Sequence, residues 1–546
     1  MFHSRLRLSF LPFVIFTFLA VYFTAEAGAS IFGTVRGIVH DTQHRPIEGA
    51  QIELRAKLSD WRRTAVSDAE GSFQIDAVPA GIYLLHISHD GFRNVEIELA
   101  VAADTAPLRH FPLELATVNQ RIEVRADAVQ VDPTSSSTSG TITSAEIQDA
   151  PGATRTNSLE FITNYTPGAY MVHDQLHIRG GHQVSWLVDG IPVPNTNIAA
   201  NVGAQFDPKD IDVVEIERGG QSAEYGDRTY GAFNVIPKSG FERDREAELV
   251  ATYGSHHSTD SQLSFGDHSE RFAWYTSVSG TRSDIGLMPP EPQEFHDNNS
   301  GLGVFTSLIF NATPKDQLRF AGSARGDYFQ IPNTFDQQQI GMRDVERERD
   351  VFGNFSWVHT LNSGVLFTVA PFFHWNRAAY DGYLPTSGAT LDDAPVTTDR
   401  NDSHYEGGLA NLSVTRGRHN AHFGFYSFAQ QDDSFFRIIN TDGSASPSPQ
   451  SNRPRGSLFS AFAEDQFRLT DWFTFNGGFR YTHFSGGLTE NKTDPRLGAA
   501  LRVPKLNWVF RASYGRFYQA PPLTTISGLL LDSTGSGFLP LHGETD

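Results

Sequence analysis

The sequence predicts a mainly β protein with three successive folded parts: an N-terminal β-sandwich, an α/β middle domain and part of an antiparallel transmembrane β-barrel. Short alternating runs separated by turn residues fill the first part. In the middle part, alternating strands stop at glycine pairs, and the last part has longer alternating segments rich in aromatic residues. We expect a signal peptide at residues 1–29, the sandwich at 30–115, a linker at 116–140, the middle domain at 141–240 and barrel strands at 241–546.

The composition narrows the class of protein. The 546 residues contain no cysteine, which excludes disulfide frameworks and thiolate metal sites. The formal net charge is −20 and no stripe of lysine and arginine offsets it, so nucleic acid is not an expected partner. A ligand should therefore be neutral or cationic, or should bind where the local charge differs from the average.

The N-terminus reads as an export signal. His3, Arg5 and Arg7 form a basic start, Leu8 to Phe23 form an apolar run, and Ala25 to Ala27 form an A-x-A cleavage site. A membrane anchor is the alternative, but the run is shorter than the ~20 residues that a spanning helix needs. No later segment is apolar enough to span as a helix, so any membrane-embedded part has to be a β-barrel.

The predicted sandwich domain alternates apolar and polar residues in short runs. Turn-forming residues separate these runs, for example at Asp41 to Pro46. The strings PIEGA and DAEGSF are similar to the carboxypeptidase regulatory-like (transthyretin-like) domain. A catalytic role for Asp68, Glu70 and His86 is the alternative, but acidic residues beside a turn glycine are common in hairpins.

The middle domain contains four strings in a fixed order: IRGG, VDGIPV, VVEIERGGQSAEYG and GAFNVIPKSG. Together they resemble the plug domain of TonB-dependent outer-membrane receptors, a resemblance that implies an α/β plug inside a transmembrane barrel. Glutamine at position 221 and proline at position 237 depart slightly from the family pattern, at a turn and a strand end. The plug-motif residues are Arg179, Gly180, Gly181, Asp189, Gly190, Glu215, Glu217, Arg218, Gly219, Tyr225 and Gly226.

Local signals predict the elements of this plug. Ser144 is expected to cap one short helix and Ser158 to Ile162 to form a second. Asp189 and Gly190 predict a tight turn. The charged plug residues would lie in a polar lumen, where buried charges must be paired, so plug arginines are expected against carboxylates of the plug or the barrel. Such pairs could only stiffen the plug or could also take part in switching.

The linker contains an alternating segment followed by the low-complexity string PTSSSTSG. Ile122, Glu123, Val124, Arg125 and Ala126 resemble a TonB box, the extended motif that precedes the plug in this family. Such a strand could add its backbone to a sheet edge of a TonB-type energy-transducing protein in the periplasm. The alternative is that this segment is the last strand of the sandwich.

The last part of the sequence predicts transmembrane strands. Trp472 to Phe484 and Val365 to Trp375 each place aromatic and apolar residues on one face and polar residues on the other. A soluble sandwich strand also alternates, but strands of about ten residues with aromatic ends favour an outer-membrane barrel. About 12 to 14 strands fit before Phe517, whereas barrels that hold a plug have about 22. We therefore expect a C-terminally truncated receptor with an incomplete barrel.

Polar stretches between these strands are expected to be extracellular loops, at 289–300, 330–348, 385–402 and 440–454. On the plug, Asn195, Asn197 and Asn201 are candidates for contact with a ligand. No metal site or other cofactor is predicted. His256 and His257 are adjacent, and neighbours on a strand point to opposite faces.

The resemblance implies an outer-membrane receptor that binds an extracellular ligand and imports it by energy-coupled remodelling of the plug. A surface adhesin or signalling receptor that binds without transport is the alternative. We expect no enzymatic activity, because nucleophile elbows, zinc motifs and P-loops are missing from the sequence. Outer-membrane lipid is an expected partner. The ligand is unknown, and the sandwich domain slightly favours an oligosaccharide or peptide over a siderophore.

Overall fold

The computed structural model describes residues 32–523 with gaps. The gaps are at 42–44, 57–60, 70, 80, 102–107, 114–135, 151–162, 164–165, 173–174, 179–180, 182–183, 195–205, 220–221, 227–229, 270, 288, 291, 314, 363–364, 385–394, 442–443, 471, 504–505 and 507. The predicted signal peptide lies outside the described residues. None of the described helices has the length and apolarity to cross a bilayer.

The N-terminal domain is a β-sandwich, as predicted. Its strands are β1 (Phe32–Asp41), β2 (Gln51–Ala56), β3 (Arg62–Val66), β4 (Ser72–Pro79), β5 (Gly81–Ser88), β6 (Val95–Val101) and β7 (Leu108–Leu113). They form one sheet in the order β4-β1-β7 and a second in the order β3-β2-β5-β6. Alternate residues such as Leu54, Leu85 and Phe111 are buried between the sheets, because period-2 alternation sends them all to one face.

The middle domain is a five-stranded sheet with short helical turns. Its elements are β8 (Thr138–Thr143), α1 (Ser144–Asp149), β9 (Ala169–Val172), β10 (Gln175–Ile178), β11 (Val184–Val188), β12 (Ile191–Pro192), a 3-10 turn (Pro208–Asp210), β13 (Ile211–Arg218), β14 (Gly231–Pro237) and a second 3-10 turn (Gly240–Glu242). The sheet has the order β12-β11-β14-β13-β8, and β9 pairs with β10 beside it.

The N-cap of the first helix lies one residue earlier than predicted. Thr143 is the N-cap, and it forms a capping box with Glu146, whereas Ser144 is already helical. The prediction of Ser144 as cap was therefore wrong, because the Thr-x-x-Glu spacing satisfies two backbone donors at once. The second predicted helix, at Ser158 to Ile162, lies outside the described residues.

The remaining chain forms a 14-stranded antiparallel sheet, which confirms the predicted number of strands. The strands are β15 (Glu246–Tyr253), β16 (Thr259–His268), β17 (Phe272–Ser283), β18 (Asn299–Asn311), β19 (Asp316–Gln330), β20 (Val345–Asn362), β21 (Val365–Asp381), β22 (Val396–Arg416), β23 (His419–Ile439), β24 (Gln450–Asn452), β25 (Arg455–Thr470), β26 (Phe473–Ser485), β27 (Thr489–Val503) and β28 (Trp508–Gly515). Within the described part of the chain the sheet is open, since β15 and β28 each pair on one side only.

The two faces of this sheet differ as predicted. On β26, Phe475 and Phe479 are exposed while Thr474, Arg480 and Thr482 are buried. We call the buried face the inner face and the apolar face the outer face. The middle domain packs on the inner face, where one apolar cluster combines its residues with inner-face residues such as Phe352 and Tyr405.

Short turns join the strands at one end of the sheet and longer loops at the other. The long connections follow β17, β19, β21 and β23. The connection after β19 contains a helix that was not predicted, α2 (Phe335–Ile340). The predicted loop 385–402 was wrong in its last part, because β22 already begins at Val396. Polar residues continue this strand above the apolar region, where both faces meet water and alternation no longer requires apolar residues.

The sandwich packs against the short-turn end of the large sheet. Phe241, in the second 3-10 turn, is buried with Ala273 and Ile309 in the same apolar cluster as the sandwich core. Its ring centroid lies 6.2 Å from that of Trp61 in the sandwich. The sandwich and the long loops are therefore at opposite ends of the sheet.

Candidate functional site

The contact between the middle domain and the inner face is the candidate functional site. Among the described residues, the turn between β11 and β12 makes the most buried ion pair. Asp189 and Gly190 both have positive φ, 52° and 79°, which confirms the predicted tight turn. The turn presents the Asp189 carboxylate to Arg319 of β19, with an oxygen to Nη2 distance of 2.9 Å. Both side chains are only 3 % exposed.

A hydrogen-bonded chain fixes this turn inside the middle domain. The side-chain amide of Asn234 on β14 accepts from the backbone N–H of Gly190 at 2.8 Å. The same amide donates to the Glu215 carboxylate at 2.8 Å. Three strings that are separate in the sequence therefore meet at one point, and they orient Asp189 toward Arg319.

The first 3-10 turn makes a second polar contact with the inner face. Lys209 lies with its Nζ 2.7 Å from the Asp260 carboxylate of β16 and 3.0 Å from Asp207. One oxygen of Asp210 accepts from the Gln262 amide at 3.0 Å and from the Tyr275 hydroxyl at 2.9 Å. The middle domain thus offers both a cation and a carboxyl group to partners on β16 and β17.

A third contact holds the chain that follows β12. His374 on β21 is fully buried, and its Nδ1 donates to the Pro194 carbonyl oxygen at 2.7 Å. Its Nε2 lies 2.8 Å from the Asp350 carboxylate. Since acceptors face both ring nitrogens, the geometry suits the doubly protonated imidazolium. Asn354 on β20 adds a hydrogen bond to the Val188 carbonyl at 3.2 Å.

The segment 222–226 docks against β25 and β26. The backbone N–H of Ala223 donates to the Glu464 carboxylate, and the Arg480 guanidinium donates to the Ala223 and Glu224 carbonyls at 3.3 and 2.7 Å. Gly226 lies against the Arg480 side chain so closely that a Cβ there would overlap it. A side chain at position 226 would therefore have to displace the Arg480 side chain.

Burial shifts the ionisation of two carboxyl groups of the middle domain. It raises the pKa of Asp210 to about 7, and the nearby Asp207 carboxylate adds to the rise. Burial also raises the pKa of Glu217 to about 8. The Glu464 and Glu224 carboxylates add to that rise, whereas a hydrogen bond from Ser137 works against it.

In the buried ion pairs, burial and the charge of the partner have opposite effects on the pKa of each plug residue. Burial raises the pKa of Asp189, although the Arg319 guanidinium opposes the rise. Burial by itself lowers the pKa of Lys209, but the carboxylates of Asp207 and Asp260 outweigh it, so that the pKa is raised. Lys209 therefore stays charged in this contact.

Sequence models of three families match the chain in succession. They are the carboxypeptidase regulatory-like domain at residues 34–114, the TonB-dependent receptor plug domain at 130–233 and the TonB-dependent receptor-like β-barrel at 332–540. The chain belongs to the TonB-dependent receptors. The middle domain is accordingly the plug and the large sheet is barrel wall, and receptors of this family lie in the outer membrane. Comparison with curated protein sequences finds no match.

Solved structures of TonB-dependent receptors share this fold. The ferric-catecholate import receptor Fiu from E. coli K12 has a TM-score of 0.53 and 15 % identity, over 71 % of this chain and 71 % of its own. The ferric citrate transporter FecA has a TM-score of 0.57 and 14 % identity, and the match covers 74 % of this chain and 65 % of FecA. The alcaligin receptor FauA from Bordetella pertussis has a TM-score of 0.55 and 15 % identity, and the match covers 72 % of this chain and 64 % of FauA. The chain thus spans about two thirds of the length of these relatives.

The structure brings most of the sequence-predicted plug-motif residues to this interface or to the turns beside it. At position 181 a Cβ would overlap the Tyr230 ring, so a larger residue there would have to displace this ring. Arg218 donates to the Pro167 carbonyl of the plug. Gly219 has φ 65° and ends β13, and Tyr225 lies in the docked segment 222–226. Outside the described residues are Arg179, Gly180, the candidate TonB box Ile122–Ala126 and the ligand candidates Asn195, Asn197 and Asn201.

Two sequence expectations differ from the geometry. The expectation that plug arginines meet carboxylates contrasts with the Asp189 pair, in which the plug supplies the carboxylate and the barrel the arginine. His256 and His257 lie in a turn with φ 57° and 49°, not on a strand, so the argument from opposite strand faces does not apply to them. Their Nδ1 atoms lie 3.1 Å from Glu294 and 2.6 Å from Asp284.

The barrel residues of the interface were not identified as site residues from the sequence. Arg319, Asp260 and Glu464 occur on inner-face positions, so an available signal was the polar residue on the non-aromatic side of each alternating strand. That signal identifies which residues face the lumen but not which plug residue each one meets.

We predict that Asp189→Asn weakens the hold of the barrel on the plug by about 3–5 kcal/mol, because it removes the carboxylate charge that faces the buried Arg319 guanidinium. Asparagine tolerates positive φ, so the turn itself should persist. Hydrogen exchange of β11 and β12 in the full chain measures the effect. Asp327→Asn is the control, since it breaks a pair with Arg325 that lies within the barrel wall. Equal exchange in the two variants would contradict the prediction.

Gly226→Ala should displace the Arg480 guanidinium and cost the plug about 2 kcal/mol through the lost charged hydrogen bonds. Protease susceptibility of the plug in the full chain measures this. Gly231→Ala is the matched control, because the nearest atom to its new Cβ is 3.5 Å away. In an Arg480→Ala background Gly226→Ala should add little. A full additional effect there would refute the role of Arg480.

Plug stability should fall as pH rises from about 4 to about 8. Asp210 and Glu217 keep their protons in the folded plug up to about pH 7 and 8, whereas the unfolded chain releases them from near their ordinary values of 3.8 and 4.5. Deprotonation in this window therefore favours the unfolded plug, and the loss is complete above it. The measurement is the denaturant concentration that makes the plug protease-sensitive at each pH.

Asp210→Asn should remove the part of this pH dependence between about pH 4 and 7, because asparagine keeps the acceptor for Gln262 and Tyr275 without ionising. Asp149→Asn, an exposed change on α1, is the control and should leave the profile unchanged. If plug stability depends on pH in both variants as it does in the wild-type chain, Asp210 is not the group responsible.

Proposed function

We propose that this receptor binds an extracellular ligand at the long-loop end of the barrel and imports it by energy-coupled remodelling of the plug. The supporting observation is the polar character of the plug contact. Ion pairs and hydrogen bonds from β16, β19, β21, β25 and β26 hold the plug at separate points. Each contact costs only a few kcal/mol to break, so an applied force can break them in succession.

The energy source would be a TonB-type protein in the periplasm. Ile122 to Ala126 would act as the TonB box and add a strand to that partner's sheet. This role fits the arrangement of the chain, since the segment lies between the sandwich, which packs at the short-turn end, and Ser136, which accepts from Asn476 on the barrel wall at 3.0 Å. Short turns are the periplasmic end of outer-membrane barrels.

The names of the structural relatives suggest a class of ligand to propose for this receptor. Fiu is named a ferric-catecholate import receptor and FecA a ferric citrate transporter, and a further relative, OprC, is named a copper transporter. They give no support to the oligosaccharide or peptide preference drawn from the sandwich domain. We therefore propose a metal complex as the first ligand class to test, and a receptor without enzymatic activity. Asn195, Asn197 and Asn201 stay candidates for ligand contact.

Val124→Pro tests import against the alternative of an adhesin or signalling receptor. Proline removes a backbone donor and blocks strand pairing, so uptake and binding of a purified TonB periplasmic domain should both be lost. Ligand binding by intact cells should be retained. Ferric citrate and a ferric catecholate, supplied as sole iron sources, are the probes.

Val124→Thr is the matched control, because it keeps the backbone donor and a β-branched side chain, and it should import normally. Uptake that is unchanged in Val124→Pro would favour the adhesin or signalling receptor. Uptake lost equally in both variants would show that the backbone donor is not what matters.

A further inference from the structure

Four arginines form a patch on the outer face of the barrel, on neighbouring strands. Arg349 of β20 lies directly opposite Arg377 of β21 in the sheet register. Arg347 and Arg400 flank them, each opposite Ala379. The residues that alternate with these on β20 and β21 are buried on the inner face, for example Glu348 and Asn376. We call Arg347, Arg349, Arg377 and Arg400 the arginine patch.

The patch lies directly above the lipid-facing band. On β21 the outer-face positions from Val365 to Trp375 are apolar, and Arg377 is the next outer-face residue. Ten residues extend about 33 Å along the strand. At a strand tilt of about 40° this length crosses about 25 Å of membrane, which equals the height of about 25 Å of the apolar band of an outer-membrane barrel. The arginine patch therefore lies at the level of lipid headgroups, on the side of the long loops.

The local charges of the patch are not balanced. Asp381 pairs with both Arg347 and Arg400, at 3.1 and 2.5 Å, and Asp402 lies 3.9 Å from Arg377. For Arg349 the described residues provide no carboxylate within ion-pair distance. These four arginines and two aspartates carry a formal charge of +2, on a chain whose total is −20. Asp433, which lies opposite Asp402 on β23, is paired with Arg453 at 2.5 Å and leaves this charge unchanged. Like charges directly opposite in a sheet are destabilising unless an anion lies between them.

We propose that the arginine patch binds phosphate groups of a lipid in the outer leaflet. A guanidinium matches a phosphate with two parallel hydrogen bonds, and the Arg349 and Arg377 pair offers two such groups side by side. The Arg347 guanidinium lies 5.5 Å from the Tyr328 ring centroid, which restricts its position. The patch adjoins the apolar band at Trp375, so a ligand with acyl chains can occupy both surfaces at once. A ligand in the lumen cannot reach it.

The test compares bisphosphorylated lipid A with the same lipid after removal of its phosphates, each bound to the purified full chain in non-ionic detergent. Native mass spectrometry counts the bound lipid. The wild-type chain should bind the phosphorylated lipid at least about tenfold more tightly, and Arg349→Gln with Arg377→Gln should lose that preference. Equal binding of the two lipids by the wild-type chain, or an unchanged preference in the variant, would overturn the proposal.

Arg271→Gln with Arg416→Gln is the matched control, because it removes two exposed arginines at the short-turn end, and its preference should equal that of the wild-type chain. Arg349→Gln alone provides the same test if the double variant does not fold, with a smaller loss expected. Inorganic phosphate should not displace the lipid. Displacement at equal concentration would show that the patch recognises the free anion and would overturn the assignment to a lipid.

Discussion

The alternation of side chains between two faces of one sheet is the constraint on which the rest of the structure depends. In lipid every backbone polar group must be paired within the protein, a condition that helices and closed barrels meet, and here the spanning part is a sheet of long strands. Each strand then presents every second residue to lipid and every second residue to the lumen. The outer face is accordingly aromatic, and the inner face is free to carry the polar groups that meet the plug.

This division explains why the plug can be both buried and removable. A plug that met an apolar wall throughout would be held by a non-directional hydrophobic contact. Here the apolar cluster around Phe352 and Tyr405 is accompanied by polar contacts at separate points. Asp189 meets Arg319 on β19, whereas Lys209 meets Asp260 on β16, three strands away in the wall. Because each contact has a specific geometry, a small displacement removes it.

The sequence predicted those parts of the fold that local patterns determine. Alternation located the two faces of β26, and the dipeptide Asp189 and Gly190 located its turn. Patterns are weaker where two neighbouring residues compete for one role, as Thr143 and Ser144 did for the helix cap. They are also weaker above the membrane, where β22 continues through polar residues that read as a loop.

The partners across the plug interface could not have been predicted from local patterns. Asp189 and Arg319 are 130 residues apart in the chain. Their contact depends on the register of several intervening strands, and a shift of β19 by one residue would turn Arg319 toward lipid. A single sequence specifies that register through the sum of many pairings. It therefore shows that a lumen-facing arginine exists without showing which carboxylate it meets.

The packing of the sandwich changes how a force would reach the plug. The chain enters the plug at Ser136, on the barrel wall, and leaves the sandwich at Leu113, inside the core that includes Trp61 and Phe241. A force applied to the chain between Leu113 and Ser136 pulls on the sandwich and on the plug together. Among the described strands both β7 and β8 are edge strands, β7 paired with β1 and β8 with β13. β7 buries Phe111 and Leu113 in the sandwich core, whereas none of the described side chains of β8 is buried. Since β8 can separate one residue pair at a time with little loss of apolar burial, we expect the edge of the plug to yield before the sandwich does.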